Sequence, residues 1–147
     1  MAEVIGLIAS TINILECVNK TKSFLKANVH TPSMLRAELV PLLGRLTAFE
    51  GILRGLQLEC ELDESNDGRL RVLAHIIEPL QASNMAVATI VARLQRVISV
   101  GKVSIAFGKV LDKDTLAALH VLDQTTPVLD LALSADQRSV CKRRPYH

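Results

Sequence analysis

A metal site is suggested by the acidic segment that begins at Asp63. Four of its residues match positions one, three, five and six of an EF-hand calcium loop: Asp63, Ser65, Asp67 and Gly68. Position twelve, where such a loop needs a bidentate glutamate, is Ala74. Because the decisive ligand is missing, we interpret the segment as a solvated acidic turn, with calcium binding as the weaker alternative.

The residue patterns that catalysis usually requires do not occur. The sequence has no Glu-x-x-His pair of the kind that builds di-iron sites in helical bundles, and its four histidines are scattered. It has no serine in a Gly-x-Ser-x-Gly turn and no glycine-rich phosphate loop. We therefore expect a non-enzymatic protein that uses no metal and no cofactor.

The three cysteines, Cys17, Cys60 and Cys141, are far apart in the sequence. Their odd number and wide spacing fit neither a disulfide scaffold nor a zinc site. Glu3 stands where a secretory signal would carry positive charge. These features predict a reducing, cytoplasmic setting, with Cys17 and Cys60 as buried thiols.

Small residues at the N-terminus indicate a different kind of activity. Ala2, Gly6 and Ser10 recur at intervals of four, so one side of a helix there would allow another helix to approach closely. That side could pack inside the protein, or the helix could leave and self-associate in a lipid interface. The residues that we assign to membrane contact or self-association are Ala2, Glu3, Ile5, Gly6, Ile8, Ser10, Ile12 and Leu15.

A small basic cluster lies close to the C-terminus. Lys142, Arg143 and Arg144 are candidate contacts with acidic lipid, and together with Arg138 they also fit an import signal. The alternative is that the cluster is an ordinary solvated linker.

Composition limits the fold and the function. The chain has 147 residues and a formal net charge of +2, and 49% of its residues are hydrophobic but only 3% are aromatic. The low aromatic content disfavours a β-sheet. The chain has neither a strong basic excess nor aromatics interleaved with arginine and lysine, which disfavours nucleic-acid binding. We expect one all-α domain with an aliphatic core.

Four amphipathic segments account for most of the chain. In the first, residues 2–28, one stripe consists of Ile5, Ile8, Ile12 and Leu15. In the second, a stripe with heptad-like spacing consists of Leu35, Leu39, Leu42, Leu46, Phe49, Leu53 and Leu56. The third has the same spacing in Leu70, Leu73, Ile77, Leu80, Asn84, Val87, Val91, Leu94 and Ile98. The last, from about Asp114, has Leu116, Leu119, Leu122, Val128, Leu129 and Leu133.

Polar and proline residues interrupt these segments. We expect bends at Pro41 and Pro79, and Pro127 is also internal. Asn84 has two interpretations, a buried amide that fixes the register of the helices or a position turned to solvent.

These patterns predict an antiparallel four-helix bundle. The bundle domain would span residues 1–135, with a basic tail or linker at 136–147. A connector at 99–113 joins the last two helices and could hold a short extra helical turn.

Both ends of the bundle carry a family resemblance. The opening Met1-Ala-Glu-Val-Ile-Gly-Leu-Ile-Ala-Ser10 resembles the start of the fungal HeLo-like domains that precede NACHT or ankyrin modules in NLR-like STAND proteins. Leu122-Asp123, the run from Thr126 to Leu133, and Asp136-Gln137 are similar to the end of that domain.

The resemblance implies a programmed cell-death or signalling effector domain that releases its N-terminal helix, self-associates and engages the plasma membrane. Residues 2–18 would then be the membrane-active element, with Glu3 and Gly6 matching the family's opening motif. The implied partners are further copies of the chain, acidic lipids and a NACHT or ankyrin-type receptor. The alternative is a soluble helical adaptor or oligomerisation module that binds a protein partner without membrane activity.

Overall fold

A computed structural model describes residues 2–27, 33–62, 75–99 and 112–143 of the chain. Every regular element in these ranges is an α-helix, which confirms the predicted all-α bundle. The helices are α1 (Ala2–Leu15), α2 (Cys17–Ala27), α3 (Ser33–Leu62), α4 (Ile77–Ser99) and α5 (Lys113–Arg143).

The first predicted helix is divided at Glu16. The Glu16 amide donates to the carbonyls of Ile12 and Asn13 over 3.2 and 3.3 Å, which is the bifurcated bonding that often ends an α-helix. The Asn19 amide then donates to the Glu16 carbonyl over 3.2 Å. Consequently α1 and α2 follow one another with a single turn residue between them.

Helices α2 and α3 run antiparallel. Arg36, in the first turn of α3, donates from Nη2 to the carbonyl of Leu25 near the end of α2, over 3.1 Å. Further along α3, the Thr47 hydroxyl accepts from Lys22 Nζ over 2.7 Å. The residue later in α3 contacts the residue earlier in α2, so the two helices point in opposite directions.

By contrast, α3 and α5 are parallel neighbours. Arg45 lies 3.4 Å from Asp123, and ten residues further along both helices Gly55 faces Leu133. The helix pair α1–α2 packs on α3 and α4, and α5 packs on the same two helices. The α1–α2 pair, α3, α4 and α5 therefore alternate in direction. Helices α3 and α4 occupy diagonally opposite positions in the bundle.

The heptad-like stripes of the two central helices form the core, as predicted. On α3 the stripe is buried from Leu39 to Leu56, with Phe49 at its centre, and on α4 it is buried at Leu80, Val87, Val91 and Leu94. The side chains of Leu35, Leu70, Leu73 and Ile98 lie outside the described part of the chain.

The structure corrects three positions of the other two stripes. Ile5 is 39% exposed, and Val4 takes its place in the core. On α5, Leu116 and Val128 are exposed, whereas Leu119, Leu122 and Leu129 are buried as expected. An isolated apolar residue can remain on a surface at small cost, so its position relative to the partner helices decides its burial.

The prolines at 41, 79 and 127 all belong to helices. Helices α3 and α5 continue through Pro41 and Pro127. Both prolines are exposed, so water can bond to the carbonyls that lose a helical donor. Pro79 lies in the first turn of α4, where its missing N–H is not needed, so within the described residues it stands at the start of a helix and not inside one.

Other expectations fall outside the described residues. These include the segment at 63–74 that resembles a calcium loop, and residues 100–111 of the predicted connector. At the C-terminus α5 extends to Arg143, so the first part of the predicted tail is helical.

Candidate functional site: the N-terminal helix

Helix α1 contributes one complete face to the bundle core. Val4, Ile8 and Leu15 have no exposed surface and Ile12 is 6% exposed. These side chains pack where α1 meets α3 and α4. Three of the predicted membrane residues, Ile8, Ile12 and Leu15, are therefore core residues in this structure.

The opposite face of α1 is open and almost free of bulky groups. Glu3, Gly6, Ser10 and Asn13 are exposed along it, with Ile5 at its edge. A Cβ placed on Gly6 would meet no atom within 4 Å. The expectation that this small-residue side packs tightly inside the bundle is wrong at Gly6, because the site faces open space.

The predicted site residues thus lie on two sides of one helix. The core side holds Ile8, Ile12 and Leu15, and the open side holds Glu3, Ile5, Gly6 and Ser10. Ala2 is the first residue of α1, and its side chain lies outside the described part of the chain.

A short chain of polar groups links α1 to α4. Asn84 Nδ2 donates to Thr11 Oγ1 over 2.9 Å, and the Thr11 hydroxyl donates to the carbonyl of Leu7 over 2.8 Å. Ser10 Oγ lies 3.4 Å from the same amide nitrogen. Asn84 is half-buried and Thr11 has no exposed surface, so this geometry supports the cross-helix role of Asn84.

Sequence reasoning missed Thr11 because a threonine interrupts the apolar stripe. Its hydroxyl donates a hydrogen bond to the carbonyl four residues earlier. This bond allows the hydroxyl to be buried at low cost. The signal that could have identified it is its position, four residues before Leu15 and three after Ile8.

The charges next to α1 lie on α2. No charged residue occurs between Glu3 and Glu16, whereas Lys20 and Lys26 are exposed on α2. The N-terminal region therefore combines a helix that is uncharged from Val4 to Leu15 with a basic continuation.

A second surface feature is a groove between α4 and α5 with a volume of about 570 Å³. It is lined by Ala82, Met85, Ala86, Thr89, Asp114, Ala117, Ala118 and Val121. Alanine is the main lining residue, while the Met85 side chain is 73% exposed. No pattern in the sequence predicts this groove.

Asp112 organises the end of the α4–α5 pair. Its Oδ1 accepts from the Thr115 amide over 2.8 Å and so caps α5, two residues before the predicted start. Hydrogen bonds from the Thr115 side chain and backbone lower the pKa of the Asp112 carboxyl, and the positive charges of Arg93 and Arg96 act in the same direction. This arrangement is a structural helix cap.

No three histidine, cysteine or acidic side chains within the described residues come together in a way that could hold a metal ion. Cys17 and Cys60 are buried, as expected. Lys142 and Arg143 lie in the last turn of α5 but their side chains are outside the described part, as is Arg144.

Across the described ranges, none of the helices combines the length and the apolar character needed to span a bilayer. Comparison of the chain with models of known protein families, with curated protein sequences and with solved structures gives no match. The HeLo-like resemblance therefore stays a prediction that depends on the residues quoted for it.

Proposed function

We propose that this chain is a non-enzymatic cell-death or signalling effector domain that self-associates and engages membrane through α1. In this proposal the protein is cytoplasmic and moves to the plasma membrane. Its partners there are acidic lipids and further copies of the chain. A NACHT or ankyrin-type receptor would control it.

The observation that carries the proposal is the two-sided character of α1. From Val4 to Leu15 the helix has no charge, and one side is already apolar and buried. The open side around Gly6 and Ser10 has room for another helix. Such a helix could lie in a lipid interface on its apolar side and contact another copy on its small-residue side.

The attachment of α1 also suits a helix that changes partners. It is joined to α2 through the single turn residue Glu16. The Asn84 amide links it to α4 by a short hydrogen bond to Thr11 and a longer one to Ser10. Moving α1 into lipid would replace the core contacts of its own apolar side with lipid contacts, so the burial of that side is retained.

Dye release from lipid vesicles tests the proposal. The full chain is added to vesicles of phosphatidylcholine and phosphatidylserine, and to vesicles of phosphatidylcholine alone. We expect release from the anionic vesicles, and loss of that release when residues 1–18 are deleted and the remaining chain keeps its helicity. Absence of both release and lipid binding at all concentrations would refute the membrane function.

Gly6→Leu separates membrane activity from folding. The new side chain enters open space on an exposed helical face, so stability is maintained, while the close approach of a second α1 is blocked. Gly51→Leu is the matched control, because Gly51 is also an exposed helical glycine with nothing within 4 Å. We expect Gly6→Leu to reduce dye release and Gly51→Leu to leave it unchanged.

Neutralising Lys142, Arg143 and Arg144 with glutamine tests the basic cluster. If these residues contact acidic lipid, the variant needs more phosphatidylserine for the same binding, whereas a solvated linker predicts no change.

The alternative function is a helical adaptor that binds a protein partner and does not use lipid. The complete burial of Val4, Ile8 and Leu15 favours it, since these residues already have a role in the core. In that case the vesicle experiment gives no release with the folded full chain.

A further inference from the structure

The exposed side of α4 carries a second stripe with heptad-like spacing. We call it the outer stripe: Glu78, Gln81, Met85, Ala88, Ala92 and Gln95. Its members are separated alternately by three and four residues, and all of them are exposed. This is the spacing of a helix that packs along another helix, yet the core face of α4 lies on the other side, at Leu80, Val87 and Leu94.

The middle of the outer stripe lacks charge. No charged residue occurs from Pro79 to Ala92, although a surface helix normally carries charges on its solvent side. Met85, at the centre, leaves 73% of its surface in solvent, and its neighbours on the stripe are Gln81 and Ala88. The exposed neutral surface therefore has long side chains up to Met85 and small ones at Ala88 and Ala92.

The charges at the two ends of the stripe are opposite. Glu78 lies at the N-terminal end of α4, and Arg96 lies next to Gln95 at the C-terminal end. In a parallel pair of α4 helices, Glu78 would face Glu78 and Arg96 would face Arg96. In an antiparallel pair each Glu78 lies beside an Arg96 of the other copy, next to the Gln95 that it faces, and this is electrostatically favourable.

Residue size gives the same answer as charge. With a twofold axis between Met85 and Ala88, each Met85 lies opposite an Ala88 of the other copy, and each Gln81 lies opposite an Ala92. Alanines allow the two backbones to come close, and the groove beside Thr89 provides space for the Met85 side chain. A single surface that is complementary to itself under a twofold rotation is the requirement for a symmetric dimer.

We propose that two copies of this chain form an antiparallel dimer through the outer stripe of α4. The dimer is a property of the packed bundle without lipid, and it is independent of whether α1 engages a membrane. A partner for this stripe needs a large apolar residue opposite the alanines and charges in the order opposite to those of α4. A second copy of α4 in the antiparallel direction meets both requirements.

Sedimentation velocity of the full chain without lipid tests the dimer over a wide concentration range. We expect a monomer–dimer equilibrium and expect Met85→Glu to raise the dissociation constant by at least about tenfold, since it places two carboxylates at the centre of the interface. Leu131→Glu is the matched control, because Leu131 is 70% exposed on α5, and it should sediment like the original chain.

Charge reversal tests the antiparallel direction. Glu78→Arg and Arg96→Glu should each weaken the dimer, and the double variant should restore it. Glu78 and Arg96 are about 27 Å apart along α4, so rescue by the double variant cannot occur within one copy. Since Arg96 also interacts with neighbours in its own chain, circular dichroism is measured for each variant.

Disulfide cross-linking tests the position of the axis in a Cys141→Ser background. Two copies of Ala88 lie about 4.5 Å apart along the helix direction and two copies of Ala92 about 16.5 Å apart. Ala88→Cys should therefore form a cross-linked dimer under mild oxidation, and Ala92→Cys should not.

Three results would overturn the proposal. A monomer at every concentration would exclude the dimer. A dimer that responds equally to Met85→Glu and Leu131→Glu would place the interface elsewhere. Failure of the double charge reversal to restore a dimer that each single reversal weakens would exclude the antiparallel arrangement.

Discussion

Replacing Asn84 with alanine tests how much the polar link between α4 and α1 contributes to holding the N-terminal helix. The variant removes the 2.9 Å hydrogen bond to Thr11 Oγ1 and the longer contact with Ser10. A neutral hydrogen bond contributes a net of about 0.5–1.5 kcal/mol, and some packing of the half-buried amide is also lost. We expect the free energy of unfolding to fall by about 1–2 kcal/mol.

A double-mutant cycle isolates the hydrogen bond from the other effects of truncation. Thr11→Val keeps the shape of the buried side chain but removes the acceptor, so the cycle with Asn84→Ala gives the coupling energy. We expect about 1 kcal/mol of coupling from urea denaturation followed by circular dichroism. Asn19→Ala, at an exposed asparagine of α2, is the control and should change stability little.

The same variant makes a prediction for membrane activity. If detaching α1 becomes easier by about 1 kcal/mol, the detached fraction rises about fivefold, and half-maximal dye release should occur at a correspondingly lower protein concentration. Asn84 is suitable because it lies on α4, so α1 itself is unchanged. A coupling energy near zero, or the same stability for Asn84→Ala and Asn19→Ala, would refute the reasoning.

Three further predictions concern the bundle itself. Leu46→Ala should lower the free energy of unfolding by about 2–5 kcal/mol in urea denaturation, because Leu46 has no exposed surface. Leu58→Ala, at a residue that is 55% exposed, should change it by less than about 1 kcal/mol. Gly51→Ala should raise stability by about 0.5–1 kcal/mol through helix propensity. Gly55→Ala should gain less in the same assay, since a Cβ there would lie 2.9 Å from the side chain of Leu133. Asp112→Ala should lower the Tm at neutral pH. Because hydrogen bonds from Thr115 lower the pKa of Asp112 in the folded state, its contribution is present above the unfolded value near 3.8 and is lost as the pH falls through the lower folded value. The difference in Tm should therefore shrink in thermal melts at acidic pH.

The regular part of the fold was predictable because the two central helices repeat one spacing without interruption. Seven positions alternating by three and four define one face of α3, and the buried positions from Leu39 to Leu56 follow it. The N-terminal stripe was harder, because Val4 and Ile5 are adjacent and equally apolar. Only the position of α3 and α4 decides that Val4 is inside.

Buried hydroxyls explain why the polar contacts of the candidate site were not predictable. Thr11, Thr21 and Ser83 are all buried, and each donates to the carbonyl four residues earlier in its own helix. Such residues need no partner in another helix. A sequence pattern therefore cannot show that Thr11 also accepts from Asn84, or that Ser83 Oγ lies 2.8 Å from the Thr125 hydroxyl on α5.

The energy of α1 in the bundle indicates the order of events in the proposed function. Val4, Ile8, Ile12 and Leu15 are buried, and exposing such side chains to water costs about 1.5–3 kcal/mol each, or about 6–12 kcal/mol as an upper estimate. At the lower end of that range, fewer than about one molecule in ten thousand would have α1 free in water. Release into water is therefore not a useful intermediate.

It follows that a lipid surface or a second copy must receive the apolar side of α1 as it leaves the bundle. Hydrogen exchange measured by mass spectrometry tests this order. Without lipid, the amides from Ile8 to Leu15 should exchange as slowly as those around Phe49 in α3, because both segments open only with the core. With anionic vesicles, the protection of α1 should change while that of α3 is retained. Rapid exchange of residues 8–15 without lipid would contradict the argument, since it would show that α1 detaches at a cost well below its buried apolar surface.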